Sequence, residues 1–145
     1  MKRLIWSGLL ALSVFGAGVV VVRSEDKTAD RLNSRVHEVN DAAKKKGMMP
    51  VAMHTVSVET GVPREQVEAL HKRFPDTGPA GIMLACVFAD ETKKSPEEII
   101  KKHNSGADWD SMARQNKIPM EKLIERLDHL ERAVAPGGQK RDTRR

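Results

Sequence analysis

The sequence predicts an all-α fold. It reads as a small multi-helix domain in which two helix-turn-helix-like units surround a buried central helix, all following an N-terminal hydrophobic segment. Three observations carry this. Only 3% of the residues are aromatic and none is tyrosine, so the core must be built from Val, Ile, Leu, Met and Ala, which suits helix packing better than a sheet. Apolar residues recur three and four positions apart over most of the chain, the period of a helix face. Proline and glycine fall where such stretches begin and end.

The elements follow in order. Lys2 and Arg3 precede an uncharged run from Leu4 to Val22. At 1.5 Å per residue that run spans roughly 28 Å, close to the hydrocarbon thickness of a bilayer. The leading cations mark the cytoplasmic side. Residues 1–23 are therefore read as a signal peptide or a signal anchor, with the remainder outside the cytoplasmic membrane, in the periplasm or an equivalent extracytoplasmic space. No cysteine directly follows the run, so a lipoprotein anchor is excluded.

Leu32, Val36, Val39 and Ala43 share one helical face. That helix is otherwise polar, and residues 24–50 are expected to form a stalk or linker, with Gly47 as a left-handed stop and Gly47 to Pro50 as the link. Residues 51–135 are expected to form the compact domain. It begins with a short helix from Val51 to Thr60, stopped by Gly61. Pro63 opens the next helix, whose inner face is Val67, Leu70, His71 and Phe74. Pro75 to Pro79 break the chain. Gly81 to Asp90 is apolar on every side, the mark of a buried helix. Ser95, Pro96 and Glu98 form a helix start with a capping box, and Ile99, Ile100 and His103 face inward behind it. Gly106 ends that helix. Asp108 caps the next, with Trp109, Met112 and Ala113 toward the core. Pro119 opens the last helix, striped by Met120, Leu123, Leu127, Leu130 and Val134. Residues 136–145 form a basic tail whose composition predicts disorder.

Two stretches echo each other at a spacing of 56 residues. Val56, Val62, Pro63, Glu65, Val67 and Phe74 correspond to Met112, Ile118, Pro119, Glu121, Leu123 and Leu130. Each is a short helix, a tight turn and a proline-opened helix, as in helix-turn-helix units. A recognition helix needs cations or amides near its start. The first unit offers Arg64, Glu65, Gln66 and Glu68, and the second Met120, Glu121, Lys122 and Glu125, so glutamates stand where phosphate would approach. The formal charge of +5 is also misplaced for DNA. Three of the basic residues lie in the N-terminal segment, and the tail adds a net +3. Ser24 to Ala135 carries a net −1. Nucleic-acid binding is the lesser reading.

From Thr60 to Leu127 the chain resembles an uncharacterised helical domain of exported bacterial proteins. The residues that carry the likeness are Thr60, Gly61, Val62 and Pro63, then Val87, Phe88 and Ala89, then Ser95, Pro96, Glu97, Glu98 and Ile99. His103, Asn104, Ser105 and Gly106 complete it, with Trp109, Met112 and Ala113. The family's last motif reads Ser-Gly-x-Gly-Trp-Gly-x-Ile-Ala, and here Asp108 and Asp110 replace the glycines that flank the tryptophan. The resemblance implies an exported helical domain and no reaction.

Candidate chemistry is sparse. The histidines are His37, His54, His71, His103 and His129, none at a recognised metal-ligand spacing. Met48, Met49, Met53 and His54 lie close together, and soft thioethers hold Cu(I) outside the cytoplasm, so these four are the metal candidates. Packing is the commoner use of such methionines. Trp109 reads as a core anchor rather than a ligand platform. Cys86 is the lone cysteine, placed in the most apolar stretch, where a thiol is inert. Ser105 and His103 lack a third group to complete a nucleophile and base. Glu97 and Glu98 are accounted for by their helix start. The sequence therefore predicts no enzyme, no catalytic residue and no cofactor. It predicts a helical interaction or scaffold domain whose partner is another envelope protein, with a DNA-binding module and a small metal or ligand binder as alternatives.

Overall fold

Helices follow one another from one end of the described chain to the other. The computed structural model describes residues 25–137, with side chains from Leu32 onward. The N-terminal hydrophobic run and most of the basic tail lie outside these residues. Among the described residues no helix is long and apolar enough to cross a membrane. Among the described residues seven α-helices form, and no strand: α1 (Glu25–Ala43), α2 (Met48–Thr60), α3 (Arg64–Arg73), α4 (Gly78–Thr92), α5 (Pro96–Asn104), α6 (Trp109–Gln115) and α7 (Met120–Val134). A 3₁₀ turn, Pro75–Thr77, leads into α4.

The central helix is α4. Every residue from Gly78 to Ala89 is buried, and α1, α2, α3, α5 and α7 all pack on it. A segment with no polar face has no other stable position in water. It is longer than the sequence pattern indicated. The helix starts at Gly78 rather than Gly81, because Pro79 takes an early helical position where a missing N–H is harmless. Phe88 is fully buried and meets Trp109 of α6, ring centroids 5.8 Å apart.

The polar first helix does not stand apart as a stalk. Leu32, Val36, Val39 and Ala43 all enter the core, and α1 lies mainly along α7 and α4. Arg35 secures that contact, with Nη1 2.6 Å from Glu131 and Nε 3.3 Å from Asp128 on α7, and Nη1 3.0 Å from Glu38 on its own helix. The Asp128 contact is an ion pair without hydrogen-bond alignment. Burial by itself would lower the guanidinium's affinity for its proton, but Glu131, Glu38 and Asp128 outweigh it and hold Arg35 above its ordinary value.

Local signals set most helix ends. Ser95 accepts from the Glu98 amide at 3.3 Å while Glu98 accepts from the Ser95 amide at 3.1 Å, a complete capping box. Asp108 caps α6 by accepting from the Ser111 amide at 2.8 Å. Gly61 is left-handed, φ 70°, and closes α2. The other boundaries differ by a few residues. Gly47 is left-handed, but Met48, Met49 and Pro50 already belong to α2. Pro63 and Pro119 sit at the N-cap positions of α3 and α7 in extended backbone, one residue before the helices begin.

The two helix pairs, α2–α3 and α6–α7, share more than their apolar pattern. Val56 and Met112 are both buried, as are Val67 and Leu123, while Pro63 and Pro119 are both exposed. Gly61 and its counterpart Lys117 are both left-handed, φ 70° and φ 55°. The second turn thus repeats the first with a side chain where glycine is the comfortable choice.

Candidate functional site

A cleft of about 450 Å³ opens between α1, the amino end of α2, the carboxyl ends of α3 and α5, the 3₁₀ turn and the start of α6. Its position follows from the core. The stripe of α1 that buries Val36 and Val39 leaves His37, Asn40 and Asp41 beside it, on the cleft. The inward face of α3 ends on His71, and that of α5 ends on His103. Three of the chain's five histidines therefore reach one cleft from three separate helices.

His103 is held firmly. Its ring stacks on Trp109, centroids 4.2 Å apart and planes 21° from parallel. Its Nδ1 lies 2.9 Å from the Ala107 carbonyl. A carbonyl only accepts, so Nδ1 carries a proton. Trp109 is itself buried against Phe88, so the imidazole is braced by the core.

The floor of the cleft is the amino end of α4, and a residue from α1 caps it. Asn40 Oδ1 accepts the Ala80 amide at 3.0 Å, and its Nδ2 donates to the Thr77 carbonyl at 3.3 Å. Gly78 makes room for this. A Cβ there would lie 2.5 Å from Asn40 Cγ, and the backbone, φ 67° and ψ 170°, is in a region that is essentially glycine-only. Two buried atoms on the wall have no hydrogen-bond partner among the described residues: Thr77 Oγ1 and His71 Nδ1. Both rims carry charge, Asp41 paired with Lys44 at 3.0 Å on one side and Asp76 on the other.

The remaining candidates fall elsewhere. Met53 is buried and the adjacent His54 is exposed, on different sides of α2. Met48 and Met49 are half-buried against the core, and of the four only Met49 borders the cleft. Among the described residues, no three of His, Cys, Asp and Glu lie close enough to share a metal ion. The Ser105 hydroxyl donates to the Lys102 carbonyl at 2.9 Å, closing α5 rather than facing a base. Asp108 and Asp110, which flank Trp109, are both engaged. The Ser111 amide, Asp108's capping partner, holds the Asp108 carboxyl below its usual range, and Asp110 is buried and ion-paired with Arg114. Cys86 is buried, and burial pushes its thiol up to about 12, outweighing a hydrogen bond with Thr60.

A second polar cluster joins α2 to α7. Glu59 accepts from Arg126 at 2.7 Å and lies 3.2 Å from His129 Nδ1. Burial raises the Glu59 carboxyl, but Arg126 and His129 together overcome that and hold it below its ordinary value. On α7, Glu121, Lys122 and Glu125 face outward, and Lys122 pairs with Glu91.

The sequence signals only part of the cleft. His71 and His103 stand at inward positions of their helical stripes, which is the one signal of it that the sequence carries. Asn40 and Thr77 gave none. Comparison with protein-family models, curated proteins and solved structures finds no match to this chain.

Proposed function

We propose that this chain is a non-enzymatic binding domain held outside the cytoplasmic membrane, with the histidine-lined cleft as its binding surface. The observation that carries the binding reading is the convergence of His37, His71 and His103 on one cleft, with His103 braced by Trp109. Concave sites with a few oriented polar groups over a firm apolar base are where small proteins take ligands and partner segments. The location rests on Lys2 and Arg3 before the uncharged run from Leu4 to Val22 and on the likeness of Thr60 to Leu127 to exported helical domains. The partner in this reading is another envelope protein or a ligand of that compartment.

Two experiments test it. Alkaline phosphatase fused after Arg145 should be active. Inactivity there, with an active cytoplasmic reporter at the same site, would reverse the topology. A photo-crosslinking residue placed at His37 or Asn104, on the cleft, should capture a discrete partner in intact cells. The same residue at Lys93, at the far end of α4 and roughly 20 Å away along the helix, should not. Capture from Lys93 alone, or equally from all three positions, would move the binding surface away from the cleft.

A further inference from the structure

The amino end of a helix carries unbonded N–H groups and a partial positive charge, and it attracts anions. The helix α4, 15 residues long, turns that end toward the cleft. In α3, α5, α6 and α7 an acidic residue sits in the first turn, but α4, like α2, has none there. Its cap, Asn40, is neutral and comes from α1. Thr77 occupies the N-cap position, is 8% exposed, and lines the cleft with its hydroxyl unpartnered among the described residues. The reason is local. An N-cap side chain reaches its own helix's amides from extended backbone, whereas Thr77 is helical, φ −67° and ψ −33°.

We propose that the cleft binds a compact oxyanion, a carboxylate or phosphate group, at the amino end of α4, with the Thr77 hydroxyl and His71 Nδ1–H as donors. An ionised oxyanion only accepts hydrogen bonds, and these two groups are the unpartnered ones on that wall. Both atoms are buried, and both residues line the cleft. Asp41 and Asp76 oppose an anion at the mouth. Both are exposed, and Asp41 is already paired with Lys44, so water and salt screen them far more than the buried helix end.

This proposal rests on the cleft being the binding surface, and its test separates the two. The full-length protein is titrated with acetate, inorganic phosphate and ethylammonium at constant ionic strength, while the imidazole resonances of all five histidines are followed. Acetate or phosphate should shift His71 and His103 saturably and leave His54 and His129 in place, and the anion that saturates identifies the group. Thr77→Ser should retain binding. Thr77→Val should weaken it at least about tenfold, the loss of one hydrogen bond to a charged group. The same Val variant should be no less stable than wild type without ligand, because the hydroxyl it removes has no partner. Saturation by ethylammonium alone would overturn the oxyanion and leave the cleft standing. No saturable shift with either anion, or unchanged affinity in Thr77→Val, would overturn the oxyanion outright, and the crosslinking result decides the cleft independently.

Discussion

Replacing Gly78 by Ala should be among the most damaging single-methyl additions in this domain, and the cost has two separable parts. The first is backbone strain. With φ 67° and ψ 170°, a residue bearing a Cβ is forced into a region that costs about 1 to 3 kcal/mol. The second is the lost cap. The new Cβ would lie 2.5 Å from Asn40 Cγ and 2.6 Å from its Nδ2, so the Asn40 amide must withdraw. That frees the Ala80 N–H, which is fully buried, and an unpartnered buried donor costs about 1 to 3 kcal/mol. The sum, about 2 to 6 kcal/mol, is a large share of the roughly 5 to 15 kcal/mol available to a small domain. Asn40→Ala alone should cost only the second part. Because both changes act on one contact, the double variant should cost at least about 1 kcal/mol less than the sum of the single variants. Urea denaturation followed by circular dichroism measures all three. A Gly78→Ala midpoint within about 0.5 kcal/mol of wild type, or strict additivity in the double variant, would refute the argument that α1 caps α4 through this glycine.

Three further outcomes are expected. Lys117→Gly should stabilise the domain by up to about 1 kcal/mol by relieving a left-handed side chain, while Gly61→Ala at the equivalent turn should destabilise it by about 1 to 2 kcal/mol; thermal melts with opposite signs at the two sites are the check. Phe88→Ala should cost about 3 to 5 kcal/mol, since a fully buried ring against Trp109 leaves a cavity, and a chemical-denaturation loss below 1 kcal/mol would mean α4 is not the centre of the core. Glu59 gives an acid-side dependence: its folded value lies below the ordinary 4.5, so its contribution is present above that pH and is lost as pH falls through the folded value. Glu59→Gln should therefore flatten the decline in stability below pH 4.5, and an unchanged acid limb would show that Arg126 and His129 do not hold the carboxylate in solution.

Much of the fold was legible because its signals are local. The Ser95 and Glu98 capping box, the Asp108 cap and the left-handed Gly61 each depend on residues within a few positions of one another, so spacing alone exposes them. The buried α4 was legible for a different reason, since a stretch with no polar face admits one environment. The boundaries that differed are also local in origin. By residue type Pro79 and Pro50 read as breaks, yet both fall in the first turn of a helix, where proline is compatible. Pro63 and Pro119 occupy equivalent N-cap positions, but Lys117, left-handed without being glycine, carries no turn signature in its residue type.

Taken by itself, the amino-acid sequence determined the helical class, the two proline-opened helix pairs and the identity of the central helix, because periodicity, capping and burial preference are properties of neighbouring residues. Only the tertiary structure decided that the polar first helix joins the core, that Asn40 caps a helix 40 positions away, that Glu59 meets His129 across 70 positions, and that His37, His71 and His103 share a cleft. Those contacts depend on how helices cross. The crossings are set by the packing of many side chains at once, so no single residue or spacing in the chain encodes them.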